Sequence, residues 1–139
     1  MTKLSKKVKI FFLIIVTALS IWHYYSGIFC RYTTFTALYN ISLNKFKIVY
    51  YGEQDELDKY YELAALKYGI KYQRIAGSNI STPLRNGAEN YNKTMRQWLS
   101  NDLEIAWEFD FCRETENIYF QKTGKQIDKK CRFFFDNLK

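Results

Sequence analysis

The chain has 139 residues, 47% of them hydrophobic and 19% aromatic, with one Pro and 6 Gly, a balance that excludes intrinsic disorder, collagen-like repeats and a loop-dominated scaffold. Its 3 Cys exclude a dense disulfide framework, and its single His removes most chemistry that depends on imidazole, from Ser–His nucleophiles to zinc sites. The formal charge of +7 is concentrated at the N-terminus: Lys3, Lys6, Lys7, Lys9 and Arg31 all precede the first acidic residue, Glu53, and from Lys45 onward 16 basic residues face 14 acidic ones. A domain so close to neutrality lacks the focused field that a phosphate backbone requires, so nucleic acid is not an expected partner.

Residues 1–9 form a basic segment. Ile10 to Phe29 then carry no Asp, Glu, Lys or Arg, and these 20 residues are enough to cross the hydrocarbon core of a bilayer as a helix. Ile10–Val16 is wholly apolar, whereas Trp22, His23, Tyr24 and Tyr25 are side chains that favour a membrane–water interface. Read as a signal-anchor, residues 10–29 make the lipid bilayer the first expected partner. The preceding lysines would hold the N-terminus in the cytoplasm and place the rest outside, in a periplasm or at a cell surface. Ala18-Leu19-Ser20 offers the competing reading of a cleaved signal peptide and a secreted domain, against which the apolar run continues to Phe29. Residues 30–44, rich in Thr and Asn and without a sustained helical stripe, read as a partly helical juxtamembrane spacer. Asn40, Asn79 and Asn92 begin Asn-x-Ser/Thr sequons, but the Lys-, Ile-, Asn- and Tyr-heavy usage fits an AT-rich bacterial genome, in which sequons arise by composition.

Residues 45–139 are expected to form a small extracytoplasmic α/β (α+β) domain. Phe46–Tyr51, β-branched and aromatic and closed by Gly52, predicts a strand. Gln54–Tyr68 has helical spacing and an acidic start, and Gly69 ends it; Ile70–Ala76 predicts a second strand. Together they make a βαβ unit with parallel strands, in a domain of two or three strands covered by helices. Pro83–Ser100, capped by Thr82, carries the stripe Leu84, Ala88, Tyr91, Met95, Trp98 and Leu99. Tyr60, Ala64, Met95 and Trp98 are expected in the core. Leu103–Phe111 satisfies both a strand and a helix template, and Arg113–Gln121 and Ile127–Asn137 read as helical, with a break at Thr123-Gly124.

Several short strings suggest a kinship: Tyr50-Tyr51-Gly52-Glu53, Lys67-Tyr68-Gly69-Ile70-Lys71-Tyr72, Ala76-Gly77-Ser78 with Ile80-Ser81, Tyr91-Asn92-Lys93, and the aromatic run from Trp107. Across roughly Lys45–Phe111 the chain resembles the small, uncharacterised FEKKY-type proteins of Bacteroidetes, which usually carry an N-terminal signal or anchor. The resemblance implies a helix at Leu103–Phe111. It carries no biochemical activity to transfer, and Ser78 stands where that family commonly has Cys.

Three places could carry chemistry. Gly77, Ser78 and Asn79 lie between a strand and a helix, where open α/β sheets bind ligands, and Arg85 and Asn86 follow in the next helix; these five are the ligand-binding candidates, although their spacing is neither GxGxxG nor a P-loop, and no cofactor is expected. Glu53, Asp55, Glu56 and Asp58 could hold a hard cation or cap a helix, and helix capping accounts for them more simply. Cys112 and Cys131 lack a CxxC pattern and could form one disulfide outside the cytosol or remain thiols. Lys122–Lys139 has 6 basic and 2 acidic residues around Phe133–Phe135, which suits either a core helix or a surface that docks on a membrane or partner. The expected protein is a single-pass, membrane-anchored chain that presents a non-catalytic binding or accessory domain to an unknown protein or small ligand. The alternative is a small cation-dependent, hydrolase-like enzyme working through Glu53, Asp55 and Asp58.

Overall fold

The computed structural model describes residues 6–27, 30–102 and 107–127. Helix α1, Lys6–Ser26, is 21 residues long and exposed along its length. It is the one described helix long and apolar enough to cross a membrane, a property it shares with signal sequences. Its mid-helix hydroxyls turn back onto their own backbone: Thr17 Oγ1 donates to Leu13 O at 2.9 Å and Ser20 Oγ to Val16 O at 2.8 Å. No polar hydrogen is thereby left seeking solvent on these two turns.

Within residues 30–44, read as a partly helical spacer, runs helix α2, Thr34–Ser42. Thr33 and Thr36 form its capping box: Thr36 N–H donates to Thr33 Oγ1 at 3.1 Å, and Thr33 N–H donates to Thr36 Oγ1 at 2.8 Å. The inner face of α2 is small, with Ala37 buried and Ile41 packed against the core, and Tyr32, just before the helix, is buried as well. Its large apolar residues, Phe35, Leu38 and Tyr39, point outward. An inverted stripe of this kind hides a docked helix from any reading that equates apolar with buried.

Strands β1, Lys47–Tyr51, and β2, Lys71–Ala76, pair in parallel with Ile48 opposite Tyr72, and helix α3, Asp58–Lys67, lies between them in the chain. Ile48, Val49 and Tyr50 are all buried. The far edge of β1 is occupied by a side chain: Asn92 Oδ1 accepts from Val49 N–H at 3.0 Å while its Nδ2 donates to Val49 O at 2.6 Å. One amide thus does for Val49 what a neighbouring strand would do. Helix α3 begins at Asp58 rather than Gln54, because the acidic residues before it close a turn in which Asp55 Oδ1 accepts from Leu57 N–H and Asp58 Oδ2 from Asp55 N–H. It ends in a Schellman motif on Gly69, at φ 67°, with Ile70 N–H donating to Ala65 O at 2.9 Å and Gly69 N–H to Leu66 O at 3.1 Å.

Helix α4, Thr82–Asp102, takes Pro83 in its first turn and presents Ala88, Tyr91, Met95 and Leu99 to the interior. Helix α5, Trp107–Thr123, resolves the ambiguity at Trp107–Phe111 in favour of helix and joins Arg113–Gln121 to it; residues 103–106 lie outside the described residues. Residues 128–139, which include most of the helix expected at Ile127–Asn137, are also outside them. Helix α3 packs on β2 and α5, and α4 packs on β1, α2 and the end of α1. Tyr60, Ala64 and Met95 are buried as expected, but Trp98 is only half-buried, stacked on Phe46 with ring centres 4.5 Å apart. It sits at the rim of the apolar stripe of α4, where helical spacing alone does not separate centre from edge.

Candidate functional site

The ligand-binding candidates separate into two places. Gly77 is half-buried and Ser78 and Asn79 are exposed in the loop after β2. Arg74 organises this end of the sheet: its Nε donates to Gly52 O, just past β1, at 3.0 Å and to Ala76 O at 3.4 Å. Close by, Tyr51 OH donates to Glu89 Oε1 at 3.0 Å, and burial followed by this carboxylate raises the phenol's pKa while the exposed Arg85 opposes the rise. Gly77, Ser78, Asn79 and Arg85 therefore share the carboxyl end of the strands with Tyr51, Arg74 and Glu89, none of which stands out in the sequence.

Asn86 belongs elsewhere. Its Nδ2 donates to Tyr25 O at 2.5 Å and satisfies a carbonyl in the last turn of α1. Beside it, two glycines let backbones meet. A Cβ on Gly27 would lie 2.4 Å from Pro83 O and 2.6 Å from Gly87 N, and one on Gly87 would lie 2.4 Å from Tyr32 O, 3.1 Å from Cys30 Cβ and 3.3 Å from Gly27 O. Gly27 also adopts φ 71°, a left-handed conformation that other residues take up at a cost. The end of α1, the start of α2 and the first turns of α4 are therefore locked together at one junction.

An open groove of about 460 Å³ is lined by Glu62 and Leu66 of α3 and by Lys71, Tyr72, Gln73 and Arg74 of β2. Its walls carry both charge signs and one apolar side chain. No candidate chosen from the sequence lines it, because it arises where α3 packs on β2 and has no local signature.

Beneath lies a tyrosine cluster. The Tyr50 and Tyr72 rings stack with centres 4.4 Å apart, Tyr61 meets Tyr72 at 5.7 Å, and Asp58, 4% exposed, accepts from the Tyr50 hydroxyl. Burial, then the Asp58 charge and its hydrogen bond, pushes the Tyr50 phenol up to about 12. Burial and the Asp55 and Asp58 charges push Tyr61 up to about 12, and burial raises Tyr72 further still. Unfolded tyrosines lose their protons near the ordinary value of 10, whereas these folded ones hold theirs to about 12. The folded state thus binds more protons in that window, and stability falls as pH rises through it. Urea midpoints measured against pH are expected to stay level up to about 10 and then drop towards 12; a level profile across that window would remove the phenols from the buried cluster.

Glu53 and Asp55 are exposed while Asp58 is turned inward, and among the described residues no group of three or more His, Cys, Asp or Glu is placed to hold a metal ion. The carboxylates of Asp55 and Asp58 satisfy backbone N–H groups of their own turn. Of the sequon residues, Asn92 is spent on Val49 and Asn40 Nδ2 donates to Tyr91 OH at 2.8 Å, which leaves Asn79 as the exposed one. Cys112 is disulfide-bonded and Cys30 is a free thiol; Cys131, the expected partner of Cys112, lies outside the described residues.

No family model, curated protein or solved structure matches the chain. What the fold defines is a mixed α+β protein of five described helices and a two-stranded parallel sheet, led by one apolar N-terminal helix.

Proposed function

We propose that this chain is a single-pass membrane protein with a cytoplasmic N-terminus, and that its α1 anchor presents a small non-catalytic binding or accessory domain outside the cytoplasm. The observation that carries the reading is an uncharged 20-residue run directly preceded by Lys3, Lys6, Lys7 and Lys9. The locked junction at Gly27, Asn86 and Gly87 supports it, since an anchor whose end is built into the domain holds that domain in a set orientation. For the binding surface, the carboxyl end of the sheet around Gly77, Ser78, Asn79 and Arg85 offers exposed polar groups beside Arg74 and Glu89, suited to a small polar ligand or a partner's loop. Asp58 and the stacked tyrosines are accounted for by closing the turn ahead of α3 and by packing, which favours binding over catalysis.

A reporter fused after Lys139 is expected to be active only outside the cytoplasm and to remain with membranes after alkaline washing. Replacing Lys3, Lys6, Lys7 and Lys9 by Glu is expected to reduce that activity by scrambling the orientation. A reporter active in the cytoplasm would overturn the reading. Activity released into the medium would replace the anchor by a cleaved signal.

A further inference from the structure

We infer that α2 is a second membrane contact: its outward face, Phe35, Leu38, Tyr39 and Leu43, lies in the headgroup region of the leaflet from which α1 emerges. The inference rests on the anchoring of α1 and goes beyond it, because a tether alone leaves the domain free to stand away from the lipid.

The residues concerned are spaced i, i+3, i+4 and i+8, which places them on one face of a helix. Phe35 is 73% exposed and Tyr39 65% exposed, while the opposite face of α2, with Ala37 at 0%, is packed against α4. The outward face is therefore not a core face left open by a poor fit, since α2 already has its partner. Two observations choose lipid as the occupant.

The first is position. A single side chain on Gly87 would touch Gly27 O, at the end of α1, and Tyr32 O, just before α2, so the two helices meet at that point. Phe35 lies in the first turn of α2 and is thus brought to the level at which α1 ends. There Trp22, Tyr24 and Tyr25 are 61%, 59% and 53% exposed, the aromatic belt of a membrane–water boundary. A large apolar side chain at that depth gains from leaving water, whereas the same side chain far from the bilayer would not.

The second is charge. Exposed Arg31 and Lys45 flank α2 in the chain, and the pKa of Lys47 is lowered first by burial and then by the charges of exposed Lys71, Arg31 and Lys45, which gather at this end of the sheet. An apolar stripe flanked by clustered cations matches an anionic lipid surface, with acyl chains taking the rings and phosphates taking the cations. A second copy of the chain would have to bring this same cationic cluster against itself.

The test uses the full chain carrying Cys30→Ser, with Cys112 kept in its disulfide, in mixed phosphatidylcholine–phosphatidylglycerol vesicles. One cysteine is introduced at a time, Phe35→Cys, Tyr39→Cys, Leu13→Cys in α1 or Lys59→Cys on the exposed side of α3, and each is labelled with an environment-sensitive fluorophore. A quencher carried on the lipid is expected to extinguish the labels at 13, 35 and 39 and to spare the one at 59. Quenching at 13 without quenching at 35 and 39 would overturn the inference while leaving the anchor intact. No quenching at 13 would overturn the anchor, and the inference with it. Equal quenching at 35 and 59 would mean that α2 is not the contact, and a signal at 35 that tracks the protein-to-lipid ratio would mean that a second copy covers the face; either result overturns the proposal.

Discussion

Phe111→Ala is expected to destabilise the domain by about 3–5 kcal/mol, the range for truncating a fully buried aromatic ring. Phe111 is 2% exposed, and its ring faces those of Tyr61 at 6.1 Å, Trp107 at 6.2 Å and Tyr68 at 6.3 Å. It is one of the points at which α5 is held to α3, Tyr119 against Tyr60 at 5.0 Å being another, and it directly precedes the disulfide-bonded Cys112. Removing it leaves a cavity walled by rigid rings that cannot collapse inward, because Tyr61 is itself committed to Tyr72. Small domains hold only about 5–15 kcal/mol in all, so this one side chain represents a large share of the total. Urea unfolding of the detergent-solubilised chain, followed by near-ultraviolet circular dichroism, reads the change. A loss below about 1 kcal/mol would show that α5 is held by other contacts. The Lys67–Glu114 and Arg96–Glu108 pairs that also bridge to α5 are partly exposed, and such pairs contribute little by comparison.

Gly27→Ala is expected to release the end of α1 from α4 while leaving the core folded. All three atoms its Cβ would strike, Pro83 O at 2.4 Å, Gly87 N at 2.6 Å and Gly87 Cα at 2.9 Å, are backbone and cannot rotate away. To the overpacking cost of about 1–3 kcal/mol the φ of 71° adds roughly 1–2 kcal/mol for a residue bearing a Cβ. The junction is held by few contacts, chiefly the Asn86–Tyr25 hydrogen bond and the glycine approach, so relief comes by separation there. Hydrogen exchange is expected to accelerate at residues 30–33 and in the first turn of α4, with β1 and the later turns of α4 protected as before. Gly87→Ala, which would press on Tyr32 O at 2.4 Å, is expected to give the same pattern. Unchanged exchange in both variants would mean that the junction does not fix the domain to α1. Exchange accelerated everywhere would make the junction part of the core.

Most of the element order is legible along the chain because it rests on local rules. Charge-free length marks α1, β-branched and aromatic runs closed by Gly52 and Gly77 mark the two strands, and Pro83 and Gly69 punctuate helices by the backbone conformations they impose. Where local rules compete, the boundaries shift. Asp55 and Asp58 both read as the first turn of a helix; Asp58 is there, but Asp55 falls in a turn ahead of it, since a short carboxylate satisfies backbone N–H groups as readily before a helix as within it. Trp98 fits the apolar stripe yet ends at its rim.

The candidate site was harder to read. Gly77, Ser78 and Asn79 are found in a loop at the end of the sheet, but Asn86, next to Arg85, serves the end of α1 instead. Arg74 and Glu89 gain their roles from partners on other elements, and nothing in the residues beside them distinguishes them from ordinary surface polar groups, while Asn92 is marked in the chain as a sequon and not for its hold on Val49.

By itself the sequence determined the elements and the division between an apolar leader and a near-neutral domain, because hydropathy, charge and glycine act over a few neighbouring residues. Only the tertiary structure decided that residues 30–44 belong to the folded body, that Asn92 closes the edge of β1, and that the largest apolar side chains of α2 face outward. Each of these depends on pairs far apart in the chain, Tyr32 with Gly87, Val49 with Asn92 and Asn40 with Tyr91, whose meeting is fixed by packing and leaves no periodicity to read.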